Sequence, residues 1–325
     1  MLKIGSISLD VPFMQAPMSG YTDPAMRAMA RRFGCPLTCS GVMLAGSVLH
    51  QKIFKMPAFR VSDDDHPICG QILGTEPHEM ASAAKVLTEV GYDLVDLNFA
   101  CPAPKVINKG RGGSLLKSPE MAIEIYSRVR QAVSCPVIMK LRFGFDSSEE
   151  SRENFWKIVE QACLHGIDAV VIHGRTVKQY YRGRADWDII TEVKRRFSRT
   201  VIIGSGDMFE PQEIVALLRR SGMDAAAIAR GAIGNPWIFR DIRKVLKNNI
   251  LLPPPDIVEQ GQVILAHFAM VCRIFEVKKA VTYFRKFIVK YTKLHPNRRA
   301  VCERLLAVQN ADELYSTIRE HYGID

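Results

Sequence analysis

The chain has 325 residues, of which 24% are charged and 47% are hydrophobic, and its formal net charge is +10. This composition excludes an intrinsically disordered protein, and the length is sufficient to bury a large core. The longest uncharged stretch contains too many polar and helix-breaking residues to span a membrane, and the N-terminus lacks the basic start and apolar run of a secretory signal, so we expect a cytoplasmic protein with no membrane partner.

The eight cysteines are scattered along the chain. They form no C-x-x-C pair and have no histidine at the spacing of a zinc site, so we predict no metal centre. Most of them are expected to be small buried residues in a reducing compartment.

Short apolar runs alternate with helical patterns up to about residue 245. Three of these runs follow the same junction, in which a helical pattern ends in Gly-x-Asp. The glycine suits the left-handed residue that closes a helix, and the apolar run suits a strand buried on both faces. The eight predicted strands are residues 11–15, 36–42, 67–72, 94–97, 136–140, 169–172, 201–204 and 225–229.

Eight strands that alternate with helices favour an α/β protein with a closed (β/α)8 TIM barrel, and an open doubly wound sheet is the alternative. Prolines 253–255 interrupt this pattern. Asp256 and Glu259 then form a capping-box pattern, and helical periodicity continues to the end of the chain. We therefore predict a barrel domain over residues 1–245 and a small all-helical C-terminal domain over residues 246–325.

The positive charge is concentrated in the predicted helical domain. Between residues 271 and 300, nine Lys or Arg residues stand against one acid, Glu276. Such a run is often only a solvated helix face, but it also suits the phosphates of a nucleic acid. The basic residues considered as candidate contacts are Lys278, Lys279, Arg285, Lys286 and Lys290.

Polar residues follow several predicted strands at the end where barrels carry out chemistry. Glycine-rich turns at residues 204–207 and 229–231 follow the last two strands, where backbone N–H groups often bind a phosphate. Lys140 would present a cation to an anion or an electron-rich ring, and a Schiff-base role for it stays open. The other polar residues at strand ends are Gln71, Asn98, Cys101 and His173.

The run from Asn98 to Pro102 places an amide and a thiol on one loop directly after a buried strand. This position favours a proton donor or nucleophile over the alternative, in which Cys101 is one more buried cysteine. Residues 105–116 are basic and rich in glycine, which is typical of a lid over a substrate.

In combination, these motifs resemble the tRNA-dihydrouridine synthases, and most closely the bacterial branch of that family. The resemblance implies an FMN-dependent (β/α)8 barrel with a helical domain that binds tRNA. The matching runs occur in family order over nearly the whole chain and are APMSGYTDPAMR, QILG, DLNFACP, KGRGGSLL, MKLRFG, HGRT, GSGDM and ARGAIGNPWIF.

The resemblance implies that the protein reduces specific uridines of tRNA to 5,6-dihydrouridine and that NADPH supplies the electrons through FMN. Cys101 would be the general acid, and Asn98 would position the extruded uracil. Lys105, Lys109 and Arg175 are further expected substrate contacts, beside the five basic residues of the helical domain. The residues expected to hold FMN are Pro17, Met18, Ser19, Gln71, Lys140, His173, Ser205, Gly206, Asp207, Ala229 and Arg230.

Three positions depart from the family pattern. The chain has Ala100 and Ala229 where the family commonly has Gly, and Ser205 where it commonly has Asn. All three residues are small, so we expect the backbone contacts to be retained. We also expect a monomer. The alternative function is a small-molecule flavin oxidoreductase of the dihydroorotate or dihydropyrimidine dehydrogenase kind, which would not need the basic helical domain.

Overall fold

The computed structural model describes residues 1–50 and 52–325. The chain begins with an antiparallel hairpin formed by β1 (Leu2–Ile4) and β2 (Ile7–Leu9). The later strands are β3 (Phe13–Gln15), β4 (Thr38–Cys39), β5 (Met43–Leu44), β6 (Ile68–Leu73), β7 (Leu94–Phe99), β8 (Val137–Arg142), β9 (Ala169–His173), β10 (Ile202–Ser205) and β11 (Ala225–Ile228).

Eight of these strands form a parallel barrel in the order β3-β11-β10-β9-β8-β7-β6-β4, and β5 pairs with β6. The first and last strands of this order are joined by a hydrogen bond from the Gln15 N–H to the Leu37 carbonyl at 2.9 Å. The prediction of a (β/α)8 barrel is confirmed, and the open doubly wound sheet is excluded.

Proline starts many of the barrel helices. It occupies the first position of five of them, where its missing N–H would have no partner in any case. The helices of the barrel are α1 (Pro24–Arg32), α2 (Ala45–Leu49), α3 (Pro77–Glu89), α4 (Pro104–Ile107), α5 (Pro119–Ala132), α6 (Glu149–Leu164), α7 (Asp188–Arg196), α8 (Pro211–Ser221) and α9 (Trp237–Asn248).

The Gly-x-Asp junctions have a second role at the N-terminal end of the barrel, which we call the base. Their glycines adopt φ values between 65° and 102°, as a left-handed helix end requires. Each aspartate side chain then accepts a hydrogen bond from the backbone N–H of the first residue in the preceding strand of the barrel. This contact fixes the register of the two neighbouring strands. The pairs are Ile68 with Asp93 (2.6 Å), Val137 with Asp168 (2.8 Å) and Ile202 with Asp224 (2.8 Å).

The barrel interior changes from apolar to polar along the strands. Side chains alternate between the two faces of a strand, so Leu94, Asp96 and Asn98 of β7 all point inward. Leu94 belongs to an apolar cluster at the base that includes Ile4 and Leu9 of the hairpin. The polar residues follow toward the C-terminal end of the barrel, which we call the mouth. The fold therefore collects polar groups at the mouth and closes the base.

The helical domain comprises α10 (Ile257–Ile274), α11 (Val277–Tyr291), α12 (Arg298–Ala307) and α13 (Ala311–Tyr322). Residues 249–256 contain no helix or strand and connect it to α9. The predicted boundary at residue 245 lies in the last turn of α9, so we propose that the division between the domains falls within this connection.

By length and composition alone, α10 is apolar enough to cross a membrane. Its side chains Val263, Ile264, Phe268 and Val271 are buried, and it packs against α1, α11 and α13. This packing is that of a core helix, and it accounts for the apolar sequence without a bilayer.

Candidate active site

A cavity of about 240 Å³ lies at the mouth of the barrel. Strand periodicity explains its polar wall, since the inward-facing residues at the strand ends converge there. Asn98 and Cys101 lie in this wall. So do all the residues predicted to hold the cofactor, namely Pro17, Met18, Ser19, Gln71, Lys140, His173, Ser205, Gly206, Asp207, Ala229 and Arg230.

A chain of hydrogen bonds runs under the cavity to the cysteine loop. The Gln71 Nε2 donates to Asp96 Oδ2 at 2.7 Å, and the Asn98 Nδ2 donates to Gln71 Oε1 at 2.8 Å. The Asn98 Oδ1 accepts the backbone N–H groups of Ala100 at 3.1 Å and of Cys101 at 2.9 Å. The three side chains are buried, so this amide chain holds the Cys101 loop from below.

Lys140 and Asp96 are the oppositely charged inward-facing residues of neighbouring strands β8 and β7. Burial lowers the pKa of Lys140 and raises the pKa of Asp96, and each charge favours the ionised form of the other. Among the residues that the structure describes, neither the Lys140 Nζ nor the Asp96 Oδ1 has a hydrogen-bond partner. A buried ammonium without a partner is costly, so Lys140 is suited to bind an acceptor in the cavity.

His173 ends β9 with its side chain at the cavity. Burial, followed by the nearby cations Arg142 and Lys140, lowers the pKa of His173 to about 2, so the imidazole is neutral at neutral pH. Its Nδ1 has no partner within the described part of the chain. A neutral imidazole offers one donor and one acceptor, which suits contact with a polar heterocycle.

The two glycine-rich turns meet beside the cavity. A Cβ on Gly231 would lie 2.1 Å from the Met208 carbonyl oxygen, so only glycine permits this approach of the two turns. Burial opposes ionisation of Asp207, but hydrogen bonds from Arg175 and the Ala185 N–H keep the pKa of Asp207 below its usual value. Because that carboxylate faces cations of the protein, a phosphate here would be bound by backbone N–H groups and by Arg230.

Arg175 does not line the cavity. Its side chain is 2% exposed and donates to the carbonyl of Gly183 at 2.6 Å and to Asp207 Oδ2 at 2.6 Å. The substrate contact of Arg175 stays a prediction: the guanidinium is buried, and its Nη1 has no hydrogen-bond partner among the described residues. It fixes the loop after β9 to the turn after β10.

Arg142 and Tyr181 line the cavity without having been predicted. The Arg142 Nε donates to the Ala100 carbonyl at 3.0 Å, and burial lowers the pKa of Arg142 to about 10. The Tyr181 ring lies 4.4 Å from the Arg230 guanidinium. The cavity position of Arg142 could be predicted from the sequence, since it lies two residues after Lys140 on the same face of a strand. Tyr181 lies on a loop and has no periodic signal.

The segment predicted as a lid is only partly exposed. Lys105 and Lys109 are exposed on its first half, where they border the cysteine loop. In its second half Leu116 is buried, and the Gly113 N–H donates to the Cys101 carbonyl at 3.0 Å. The exposed half can contact a large substrate, and the second half supports Cys101.

The basic residues of the helical domain differ in availability. Lys278 and Lys279 are exposed near the start of α11, and Lys290 is half-buried near its end. The Arg285 guanidinium donates to the Val308 carbonyl at 3.0 Å after the end of α12. Lys278 and Lys279 are therefore the residues of this set most available to a nucleic acid.

Lys286 lies at the seam between the two domains. Its ammonium donates to the Gly20 carbonyl and lies 3.1 Å from the centre of the Tyr283 ring. Burial lowers the pKa of Lys286 to about 8. The Tyr283 hydroxyl donates to Asp23 Oδ2 at 2.6 Å. Gly20 directly follows residues 17–19 of the cavity wall, so this seam ties α11 to the loop expected to contact the cofactor.

All eight cysteines are free thiols. Over residues 1–50 and 52–325, no group of three or more His, Cys, Asp or Glu side chains is placed to hold a metal ion. Cys101 differs from the buried Cys35, Cys39 and Cys69 in lying half-exposed at the cavity.

Comparison with known proteins gives a family match over most of the chain. The family model described as "Dihydrouridine synthase (Dus)" matches residues 14–322. The "Probable tRNA-dihydrouridine synthase" of Rickettsia conorii is 34% identical over 300 residues, covering 91% of this chain and 89% of that protein. The "tRNA-dihydrouridine synthase B" of Pseudomonas putida is 33% identical over 323 residues, covering 99% of this chain and 94% of that protein.

Solved structures with a similar fold are more distant in sequence. Histamine dehydrogenase from Rhizobium sp. 4-9 aligns with a TM-score of 0.58 at 15% identity, over 83% of this chain and 50% of its own. The 6-hydroxypseudooxynicotine amine oxidase from Pseudomonas geniculata N1 aligns with a TM-score of 0.59 at 14% identity, over 82% of this chain and 52% of its own. The chain spans about half the length of these two proteins, and the likeness concerns the fold alone.

Proposed function

The chain belongs to the dihydrouridine synthase family, and from this we propose that it is a flavin-dependent enzyme that reduces uridines of tRNA to 5,6-dihydrouridine. The observation that carries the proposal is a single cavity lined by a buried cation and an imidazole that have polar atoms without partners among residues 1–50 and 52–325, together with an oriented amide and a half-exposed thiol. These are the groups needed to hold a redox heterocycle and to protonate a base beside it.

The wall of the cavity fits a flavin. A flavin ring system carries carbonyl oxygens and ring nitrogens along one edge, and the buried Lys140 Nζ and His173 Nδ1 have no other partner within the described residues. One N–H of the Gln71 amide is used by Asp96, which leaves the second free for an acceptor in the cavity. We propose that these three residues hold the polar edge of the ring and that Pro17, Met18 and Ser19 pack beside it.

FMN is the form of flavin that we propose. The turns at residues 205–207 and 229–231 lie together at one side of the cavity, with Arg230 beside them. Backbone N–H groups of such turns suit a terminal phosphate. Acid release followed by chromatography should yield FMN. Recovery of FAD would contradict this assignment.

The chemistry needs a hydride on one carbon of the uracil 5,6 double bond and a proton on the other. The bound flavin supplies the hydride. Cys101 offers the proton of its thiol from a loop that lines the cavity. The Asn98 Oδ1 accepts a hydrogen bond from the Cys101 backbone N–H at 2.9 Å, so the thiol lies on a loop of defined geometry. We propose that Cys101 donates to C5 and that Asn98 also positions the base.

A uracil stacked within folded RNA cannot enter this cavity, so the target nucleotide must be extruded. We propose that Lys278 and Lys279, with half-buried Lys290, contact tRNA phosphates along α11 while Lys105 and Lys109 contact the region nearest the target. Tyr181 is exposed by 49% at the rim and offers a ring on which a base can stack.

We propose NADPH as the reductant and a cytoplasmic monomer as the working form. Eight free thiols support a reducing compartment. The packing of α10 in the helical core supports a protein without a membrane partner. Sedimentation of the flavin-loaded protein would test the monomer, and stopped-flow reduction with NADPH and NADH would compare the two reductants.

The function is tested by a single turnover with separate substrates. Enzyme reduced by NADPH without oxygen is mixed with tRNA lacking dihydrouridine, with free uridine or with orotate. Rapid flavin reoxidation by tRNA, together with dihydrouridine detected by mass spectrometry of the tRNA, is the expected result. Reoxidation by orotate and none by tRNA would support the small-molecule alternative.

A further inference from the structure

Asp96 is buried below the cavity and does not line it, and the roles assigned above do not use it. We propose that Asp96 is a positioning residue that sets the direction of the amide chain, and so orients both the Gln71 amide and the backbone of the Cys101 loop. The part that concerns Gln71 rests on the proposed flavin function. The part that concerns Cys101 does not depend on it.

A side-chain amide has a donor group, its NH2, and an acceptor group, its carbonyl oxygen. Gln71 and Asn98 could each be rotated by 180° about the last side-chain bond with little change in shape, since their oxygen and nitrogen are similar in size. An ionised carboxylate only accepts hydrogen bonds. Asp96 therefore requires the Gln71 Nε2 to face it, at 2.7 Å, and leaves the Gln71 Oε1 directed at Asn98.

The orientation of the Gln71 amide then determines the orientation of the Asn98 amide, which contacts the cysteine loop. With the Gln71 Oε1 facing it, Asn98 must present its Nδ2, at 2.8 Å, and its Oδ1 faces the opposite way. That oxygen accepts two backbone N–H groups, of Ala100 and Cys101. If Asn98 were reversed, its Nδ2 would face those two N–H groups and neither hydrogen bond could form.

The same direction determines what the cavity receives from Gln71. Its Oε1 is occupied by Asn98, so the group that remains for a ligand is the second N–H of the Nε2. Burial raises the pKa of Asp96 to about 7, while the hydrogen bond from Gln71 and the charge of Lys140 favour the ionised, acceptor-only form, which therefore prevails above about pH 7. The buried Asp96 carboxylate thus determines that Gln71 presents an N–H donor to the cavity.

The test is Asp96→Asn, which keeps the shape of the side chain but lets it donate or accept. Asp168→Asn is the control, because Asp168 also accepts a hydrogen bond from a neighbouring strand but lies at the base and faces the outer helices. The first readout is the alkylation rate of Cys101 by iodoacetamide in flavin-free protein, followed by mass spectrometry of the Cys101 peptide. The second is the dissociation constant for FMN with the position of the visible absorption band.

We expect Asp96→Asn to raise the Cys101 alkylation rate about tenfold, since the absence of one or two backbone hydrogen bonds frees the loop. We expect weaker FMN binding by about tenfold and a shifted visible band, because the Gln71 donor is no longer enforced. Asp168→Asn should change neither value.

The double variant Asp96→Asn with Gln71→Glu separates the two parts. A carboxylate at position 71 accepts from the new amide below it and from the Asn98 Nδ2, so the direction toward Cys101 is restored. It has no N–H for the cavity. The alkylation rate should return to within about twofold of wild type while FMN affinity stays low. A purely structural role of Asp96 predicts no such rescue.

Unchanged alkylation and unchanged FMN affinity in Asp96→Asn would overturn the proposal, as would equal effects in Asp168→Asn. If Asp96→Asn does not fold, Gln71→Met interrupts the chain at its middle, and an unchanged alkylation rate in that variant would also overturn it. A wild-type protein that binds no flavin would refute the proposed function, yet the alkylation arm would still decide the role of Asp96.

Discussion

The two ends of the barrel use buried and half-buried carboxylates in different ways. At the base, Asp93, Asp168 and Asp224 accept backbone N–H groups of neighbouring strands, and Asp168 also pairs with Arg130 at 3.0 Å. At the mouth, Asp96 contacts a side-chain amide, and its second oxygen has no partner among the described residues. The base carboxylates hold strands, whereas the mouth carboxylate leaves polar groups directed at a cavity.

This difference separates stability from chemistry along the barrel axis. The carboxylates at the base are paired with backbone and basic groups of the protein, so their removal should lower stability and leave catalysis intact. Groups at the mouth, such as Lys140 and His173, have polar atoms without partners in the described chain, which is costly for the protein alone and useful for a ligand. Variants at matched positions of the two ends should therefore have different readouts.

The largest expected effect is on the rate of the tRNA reaction in Cys101→Ala. Removal of a well-placed general acid should slow reoxidation of the reduced enzyme by tRNA by roughly 10²–10⁴-fold. Flavin content and reduction by NADPH should stay near wild type, since neither uses the thiol. Stopped-flow measurement of the two half-reactions gives both values.

Cys135→Ala is the matched control, because Cys135 is a half-buried thiol beside the first residues of β8 at the base. It should affect the rate of neither half-reaction. A Cys101→Ala enzyme that reduces tRNA at the wild-type rate would remove Cys101 from the mechanism.

The second effect is a dependence of stability on pH that originates at the mouth. The pKa of His173 is about 2 in the folded protein, far below the ordinary value of about 6.5 expected on unfolding. Below pH 6.5 the unfolded chain binds a proton that the folded chain does not. The free energy of unfolding should therefore fall with decreasing pH, by up to about 1.4 kcal/mol per pH unit from this residue, and should be independent of it above pH 7.

Urea unfolding between pH 7 and pH 4.5 tests this dependence. His173→Asn should reduce the slope by about one proton, and the remaining slope includes His267, whose pKa burial lowers to about 3. His165→Asn is the control at the base, where that exposed imidazole follows α6. Equal slopes in wild type and His173→Asn would show that His173 is not buried in its neutral form.

The smallest effect is on tRNA affinity. Lys278→Glu combined with Lys279→Glu should weaken tRNA binding about tenfold. The slope of log affinity against log salt should become shallower by about 0.7–0.9 for each phosphate that the protein no longer neutralises. The control is Arg219→Glu with Arg220→Glu, an equal change of charge on exposed residues in the last turn of α8, at the base. If both pairs weaken binding equally, the effect is one of net charge and α11 is only a solvated face.

Sequence patterns predict the barrel because buried strands and amphipathic helices have different periods. The Gly-x-Asp junctions mark three strand starts, and the polar residues after the apolar runs mark the mouth. Cys101, Lys140 and His173 all lie at the cavity for this reason. The alternation within a strand also places Asp96 and Arg142 on the inward face, although that signal does not identify their partners.

What the sequence by itself determined is therefore the set of strands, their inward faces and the residues at their ends, since these follow from local periodicity. Only the tertiary structure decided which partners those residues meet. Arg175 turns into the protein because Asp207 lies in the turn after the next strand, and Lys286 contacts Gly20 because α11 packs against the loop before α1. Tyr181 reaches the cavity from a loop. A hydrogen bond depends on the relative placement of elements far apart in the chain, and no local pattern of residue types contains that information.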